Sequence, residues 1–352
     1  MRVTYPNAVR RLLVPLMTAL SLACISATAG RAAGETQQPV TIQFTLDRPL
    51  DASGAPFVLA SSKGLFRSEN LSVGTNIASG SPDAIARVAS GASDIALVDL
   101  NVLIRFRDKA GAPPIKAVFV LFNKAPYAII ARKSRGVRTL ADIEGKTLGV
   151  ADGDFAIWFW PALAQQNGIK LASVKQNKIS PAVREPILSA GQVDAVSGFS
   201  YLAGINLRDR GIPAEDLAVL RYTDYGCEAY GFALIVNPAF AAGKPDAVKG
   251  FVRAVVAGTK LAIKDPARAV DDVITRMDGG SRELELARLR AVIGDNILTG
   301  EVRRNGIGGI DSARFERSLD QLALDLKFQK RPTAADIFDD SFLPASSGRL
   351  IN

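Results

Sequence analysis

Short apolar runs, separated by polar turns rich in glycine and proline, fill the first two thirds of the chain. Val40–Leu46 alternates as a strand. Residues 47–56, rich in Asp, Pro, Ser and Gly, read as a loop before a helix over 57–64. A second strand is predicted over 71–76. Ser79-Gly80-Ser81-Pro82 then supplies a serine cap and a proline in the first turn of a helix, whose apolar face continues at Ile85, Val88 and Ala89. The same grammar recurs with strands over 94–98, 115–121, 127–131, 147–150, 194–196 and 217–221. Helices are predicted over 140–144, 157–166 and 184–190. Strands alternating with helices predict α/β layers around mostly parallel sheets. From Pro245 onward the pattern turns helical, over 247–262, 266–276, 282–296 and 311–326. Residues 123–132 and 225–237 read as hinges between two α/β units.

Composition narrows the class. The 352 residues are 48% hydrophobic and 22% charged, as in a folded globular protein of about two domains. Arg2, Arg10 and Arg11 lead into an apolar stretch over 12–22 and then Ala27-Thr28-Ala29, the pattern of a cleavable secretory signal peptide over residues 1–29. Its removal takes three arginines and no acid, lowering the formal charge from +8 to +5 and leaving Cys227 as the single cysteine. Basic residues are scattered rather than clustered, so no nucleic-acid partner is expected. The chain has no histidine at all. That excludes histidine-dependent triads and removes the commonest metal ligand, and neither a cofactor nor a metal is expected.

Linked motifs support a resemblance. In order they are "ASSKGLFRSENLSV", "VASGASDIALVDL", "TLADIEGKTLGV", "LSAGQVDAVSGF" and "YGFALIVNPAF". From about Val40 to Pro344 the chain resembles the NMT1/THI5-like (SsuA/THI5-like) solute-binding proteins of ABC importers. The resemblance implies a type II periplasmic binding protein: two α/β lobes joined by a two-segment hinge. The first lobe would hold residues 38–126 and 232–345, the second 127–231. It further implies a periplasmic monomer that captures a small organic ligand (aromatic, pyrimidine-like or sulfonate) and delivers it to an inner-membrane ABC permease. Alternatives are a periplasmic ligand sensor serving a membrane receptor and a histidine-independent enzyme. One branch of the family, a thiamine pyrimidine synthase, consumes an active-site histidine and uses a cysteine-rich iron motif. This chain offers only Gly226-Cys227-Glu228 near that motif and no histidine, so that mechanism is excluded.

Ligands of parallel α/β folds sit outside the carboxyl ends of strands, which selects the candidate residues. Asp47 and Arg48 follow the first strand, and Arg48 pairs either with an anionic ligand or with Asp47. Ser79, Gly80 and Ser81 open a helix, either as an ordinary cap or as a hole for an anion. Asp99 either accepts a hydrogen bond from a ligand or caps the helix beginning near Leu100. Asp152-Gly153-Asp154 ends the 147–150 strand and leads into Phe155, Trp158, Phe159 and Trp160, a concentration that includes both tryptophans of the chain. Phe155 and Trp158, three apart, share a face and are the expected aromatic wall, while Phe159 and Trp160 are expected in the core. Phe199 and Tyr201 end the next strand. Tyr225 and Glu228 flank the return crossover, with a surface salt bridge as the other role for Glu228. The acidic candidates lean toward a neutral or nitrogen-containing ligand, and Arg48 counts against that, with Arg184 and Arg221 less clearly placed.

Overall fold

The computed structural model describes residues 38–351. The signal-peptide expectation over residues 1–29 lies outside them. Among the described residues, ten strands form two five-stranded sheets. The first sheet contains β1 (Val40–Leu46), β2 (Leu71–Ile77), β3 (Ile95–Asp99), β4 (Lys116–Val120) and β10 (Phe232–Val236), in the order β2-β1-β3-β10-β4. The second contains β5 (Tyr127–Arg132), β6 (Thr147–Ala151), β7 (Lys175–Ile179), β8 (Ala195–Phe199) and β9 (Leu217–Arg221), in the order β7-β6-β8-β5-β9. The two orders are equivalent.

Each sheet is mixed rather than purely parallel. The strand that arrives from the other lobe runs antiparallel: β10 against β3 and β4, β5 against β8 and β9. The expected hinge segments 123–132 and 225–237 therefore overlap real strands. The crossovers themselves shorten to residues 121–126 and 222–231. Hydropathy could not reveal this, because β5 and β10 are buried, apolar runs whose direction leaves no mark on composition.

β1 is buried in the first sheet, and Phe44 packs against Phe57 at 4.9 Å and Phe251 at 5.2 Å, with Phe66 stacked on Phe251. Phe251 lies on the Pro245–Lys264 helix, whose apolar stripe covers this face of the sheet. The helix Arg282–Ala291 continues into a wide π turn over Val292–Ile297, where the sequence predicted one uninterrupted helix. That turn has a consequence for the first crossover. It lets Asn296 accept from Lys124 N through its carbonyl at 3.0 Å and donate from its amide to Lys124 O at 3.1 Å.

Arg314, 8% exposed on the Ser312–Leu322 helix, ties both crossovers together. Its guanidinium donates to the carbonyl (2.8 Å) and Oδ1 (3.0 Å) of Asn123 on the first, and to the carbonyls of Glu228 (3.0 Å) and Ala229 (3.2 Å) on the second. Glu301 pairs with it at 3.0 Å, and the Tyr230 ring lies beneath it at 4.1 Å. Among the described residues no helix is long and apolar enough to cross a membrane.

Candidate functional site

Five strand ends converge on one cleft of about 450 Å³ between the lobes. On the first lobe, β1 delivers Asp47 and Arg48, and the turn after β2 delivers Ser79, Gly80 and Ser81. On the second, β6 delivers Asp152, Asp154 and Phe155, β7 leads to Pro181 and Arg184, and β8 ends in Gly198 and Phe199.

The first-lobe groups are heavily bonded to one another. Asp47 accepts from Arg48 Nε at 2.9 Å and Nη2 at 2.8 Å, and from Ser81 Oγ at 2.6 Å. The Asp47 carbonyl takes the Gly80 amide at 2.8 Å, and Gly80 turns the chain into the next helix with a φ of 105° that glycine permits. The Arg48 guanidinium also lies between the Phe232 ring at 4.3 Å and the Phe199 ring at 5.0 Å, while Nη1 donates to the Tyr201 hydroxyl at 3.2 Å. Burial by itself lowers the pKa of this group, but the Asp47 charge overrides it and Arg48 is held firmly protonated. The pair with Asp47, one of the two roles expected of Arg48, is made, and Arg48 still lines the cleft. Ser81 likewise spends its hydroxyl on Asp47 and on the Asp99 amide, and because Gly80 stands at the N-cap the Ser81–Ser90 helix begins without the expected serine cap.

The second-lobe groups are less occupied. Asp154 accepts from the Ala156 amide at 2.9 Å and from the Ser197 hydroxyl on β8. Burial raises its pKa against those two bonds and against the nearby Arg184 charge. Asp152 is exposed in the cleft. The Arg184 guanidinium donates through Nε and Nη2 to Glu185 Oε1 at 3.0 and 2.8 Å. It lies directly over Gly198, where a Cβ would stand 2.9 Å from Nη1. Gly198 thus leaves the space in which Arg184 reaches the cleft.

Five expected contacts fall elsewhere. Asp99 is fully buried and caps the Leu100–Arg107 helix, accepting from Asn101 N at 2.9 Å and from the Tyr127 hydroxyl at 2.7 Å. Burial pushes it up to about 6, opposed by the bonds from Tyr127 and Asn101. Tyr201 is 1% exposed and stands behind Arg48 rather than in the cleft. Trp158 does share a face with Phe155, rings 5.0 Å apart. Its ring, however, lies against the Arg105 guanidinium of the other lobe at 4.0 Å, leaving Phe155 alone to line the cleft. Tyr225 is half-buried against the core, and its carbonyl accepts from Asn167. Glu228 is a surface ion pair with Arg317 at 3.1 Å and Arg314 at 3.4 Å. Phe159 and Trp160, each 1% exposed, are core as expected.

The cleft also contains Pro49, Ala78, Pro181 and Leu202, which the sequence did not single out, and Arg184, whose place the sequence left open. The signal for Arg184 was weak for a definite reason. β7 reads Lys-Gln-Asn-Lys-Ile and is an exposed edge strand, so it carries no apolar alternation to mark the strand end that Pro181 and Arg184 follow. Among the described residues, no group of three His, Cys, Asp or Glu side chains is placed to hold a metal ion.

Comparison with known proteins agrees with this architecture. The fold is similar to the alkanesulfonate-binding protein SsuA from Xanthomonas axonopodis pv. citri bound to MOPS, with a TM-score of 0.64, 17% identity, and coverage of 86% of this chain and 99% of that one. In sequence the chain is 25% identical over 227 residues to a 4-amino-5-hydroxymethyl-2-methylpyrimidine phosphate synthase of Schizosaccharomyces pombe, covering 62% of this chain and 64% of that protein. It is 26% identical over 243 residues to the riboflavin-binding protein RibY of Chloroflexus aurantiacus, covering 66% of each. The chain thus spans just under two thirds of either curated relative. The NMT1/THI5-like family profile matches residues 52–269, more than half of the chain. With two α/β lobes joined by paired crossovers and a cleft at their strand ends, the chain belongs to the NMT1/THI5-like family.

Proposed function

We propose that this chain is the extracytoplasmic solute-binding component of an ABC importer, capturing one small organic molecule between its lobes and presenting it unaltered to a membrane permease. The observation that carries this reading is the cleft itself. It lies at the strand ends of both sheets, takes lining from both lobes, and falls within the roughly 300–1,000 Å³ typical of small-molecule sites. Two crossovers connect the lobes, so closure about them would enclose a ligand and shift an open–closed equilibrium by the ligand's preference for the closed form. The lobe division at residues 126/127 and 231/232, a periplasmic location reached through the leader, and action as a monomer belong to the same proposal.

Phe155 and Phe199 offer flat apolar area to a planar or alicyclic ligand, with Asp152, Asp154 and the Ser79–Gly80 turn as polar contacts. The relatives include a synthase as well as binding proteins. A chain without histidine does not fit the histidine-consuming synthase mechanism, and Ser81, the lining serine that donates to a carboxylate, is fully buried and also takes the Asp99 amide. The cleft is read as a trap.

The test is calorimetric titration of a ligand found by thermal-shift screening. Truncating a contacting phenylalanine removes roughly 2 kcal/mol of apolar burial. Phe155→Ala is therefore expected to weaken binding by tenfold or more with the melting temperature of the unliganded protein little changed. Unchanged affinity would contradict the placement of the ligand in this cleft.

A further inference from the structure

Arg105 and Trp158 join the lobes without lining the cleft, and among the described residues neither makes a hydrogen bond to a crossover. Arg105, on the Leu100–Arg107 helix of the first lobe, lies over the Trp158 ring of the second at 4.0 Å. Each partner is also held within its own lobe. Arg105 Nη1 donates to Asp325 Oδ2 at 3.2 Å, and both side chains of that pair are partly exposed. The Trp158 ring packs on Phe155 at 5.0 Å, and its amide donates to the Phe155 carbonyl at 3.2 Å. Three other contacts between the lobes sit against the crossovers. Arg48 donates to Tyr201, whose ring packs edge-on to Phe122 of the first. Gln321 donates to Gln166 and, on the second, to the Gly226 carbonyl. Arg221 pairs with Asp295 at 3.3 Å and directly precedes the second crossover.

We propose that Arg105 and Trp158 form a releasable latch, which holds the two lobes together in the empty protein and parts when they open. The chemistry of the pair suits repeated breaking. Separating the two strands no charge, because Arg105 keeps Asp325 where water reaches both, and no ion is left buried without a partner. Trp158 likewise keeps Phe155 as its neighbour. A cation over an indole face is drawn to the ring quadrupole, and at a site that stays partly wet this gives about a three- to fivefold preference for the joined form. A contact of that size biases an open–closed equilibrium without fixing it, so a ligand can still enter and leave. The latch uses the two-lobe fold alone and stands whatever the cleft holds.

The experiment measures the separation of the lobes by double electron–electron resonance in protein dialysed free of bound compounds. Spin labels go on Ile77→Cys and Val183→Cys, exposed positions beside cleft-lining residues of the first and second lobe, while the native Cys227 is buried and escapes labelling. The labelled parent is expected to show a short separation, that of this structure, together with a longer one. Arg105→Ala and Trp158→Ala should each raise the ratio of long to short about three- to fivefold. The double variant should go no further than either single one, since the same contact is lost in all three. Arg105→Lys keeps a cation and should recover part of the shift. Arg105→Ala alters a partly exposed side chain and carries the result if urea midpoints show Trp158→Ala to be unfolded. A parent with no short separation, or a ratio unchanged in Arg105→Ala, overturns the latch. Shifts that add in the double variant overturn it as well, because they would show the two residues acting apart.

Discussion

Asp99 and Asp154 are both carboxylates at the end of a strand, and the sequence treated them alike. One carries a helix and the other lines a cleft, and what separates them is their partners. Asp99 meets Tyr127 and Asn101, which lie 28 and 2 residues away. A distant tyrosine is invisible to local spacing. The consequence is measurable. A carboxyl that titrates near 6 in the fold against 3.8 in the unfolded chain holds its proton more tightly when folded. Its contribution to stability is full below pH 3.8 and is lost as pH rises through 6, by at most roughly 3 kcal/mol. Asp216, held down to about 2 by the Ser134 amide and Arg132, acts with the opposite sign, and its contribution is lost only as pH falls below 3.8 toward 2. Urea midpoints measured from pH 4 to 6.5 should therefore decline. Asp99→Asn, which keeps a capping side chain, should flatten most of the decline. A residual slope is expected from Asp154, Glu285 and Asp295, which burial also raises. An undiminished slope in Asp99→Asn would refute this assignment. Phe155 and Trp158 teach the same lesson: spacing put their rings together, but Arg105, the group opposite Trp158, comes from the other lobe.

At the level of elements, strands whose two faces are buried or alternate were legible, and those that break the pattern were not. β1 and β9 match the sequence reading residue for residue, and so does the Arg184–Ala190 helix. β7 escaped because it is polar, and β10 because it was read as part of a hinge. The expected hinge segments overlap the crossovers, but what restrains the crossovers left no mark in the sequence. Arg314 has a side chain of ordinary surface type, and nothing near it in sequence announces that it closes a network with Asn123, Glu228, Ala229 and Glu301. Removing one partner of a buried ion pair typically costs about 3–5 kcal/mol. Arg314→Ala should lower the unfolding free energy by about that amount in urea titrations, and Arg314→Lys should recover only part, since one ammonium cannot span both crossovers. A loss under about 1 kcal/mol would show that the crossovers are held by other contacts, Asn296 first among them.

For the whole molecule, the alternation of short strands and helices already implied two α/β units, and the linked motifs implied how they connect. The mixed direction of each sheet and the meeting of Asp47 with Ser81 and of Asp154 with Ser197 became apparent only once distant segments were brought together. On the function proposed, a small compound is held, chemically unchanged, between the two lobes. Native mass spectrometry of protein purified without unfolding tests it most directly. The expected result is a single bound small molecule per chain, recovered at the same mass after prolonged incubation and lost from the Phe155→Ala variant. Recovery of a converted product, or a bound compound retained equally by Phe155→Ala, would contradict it.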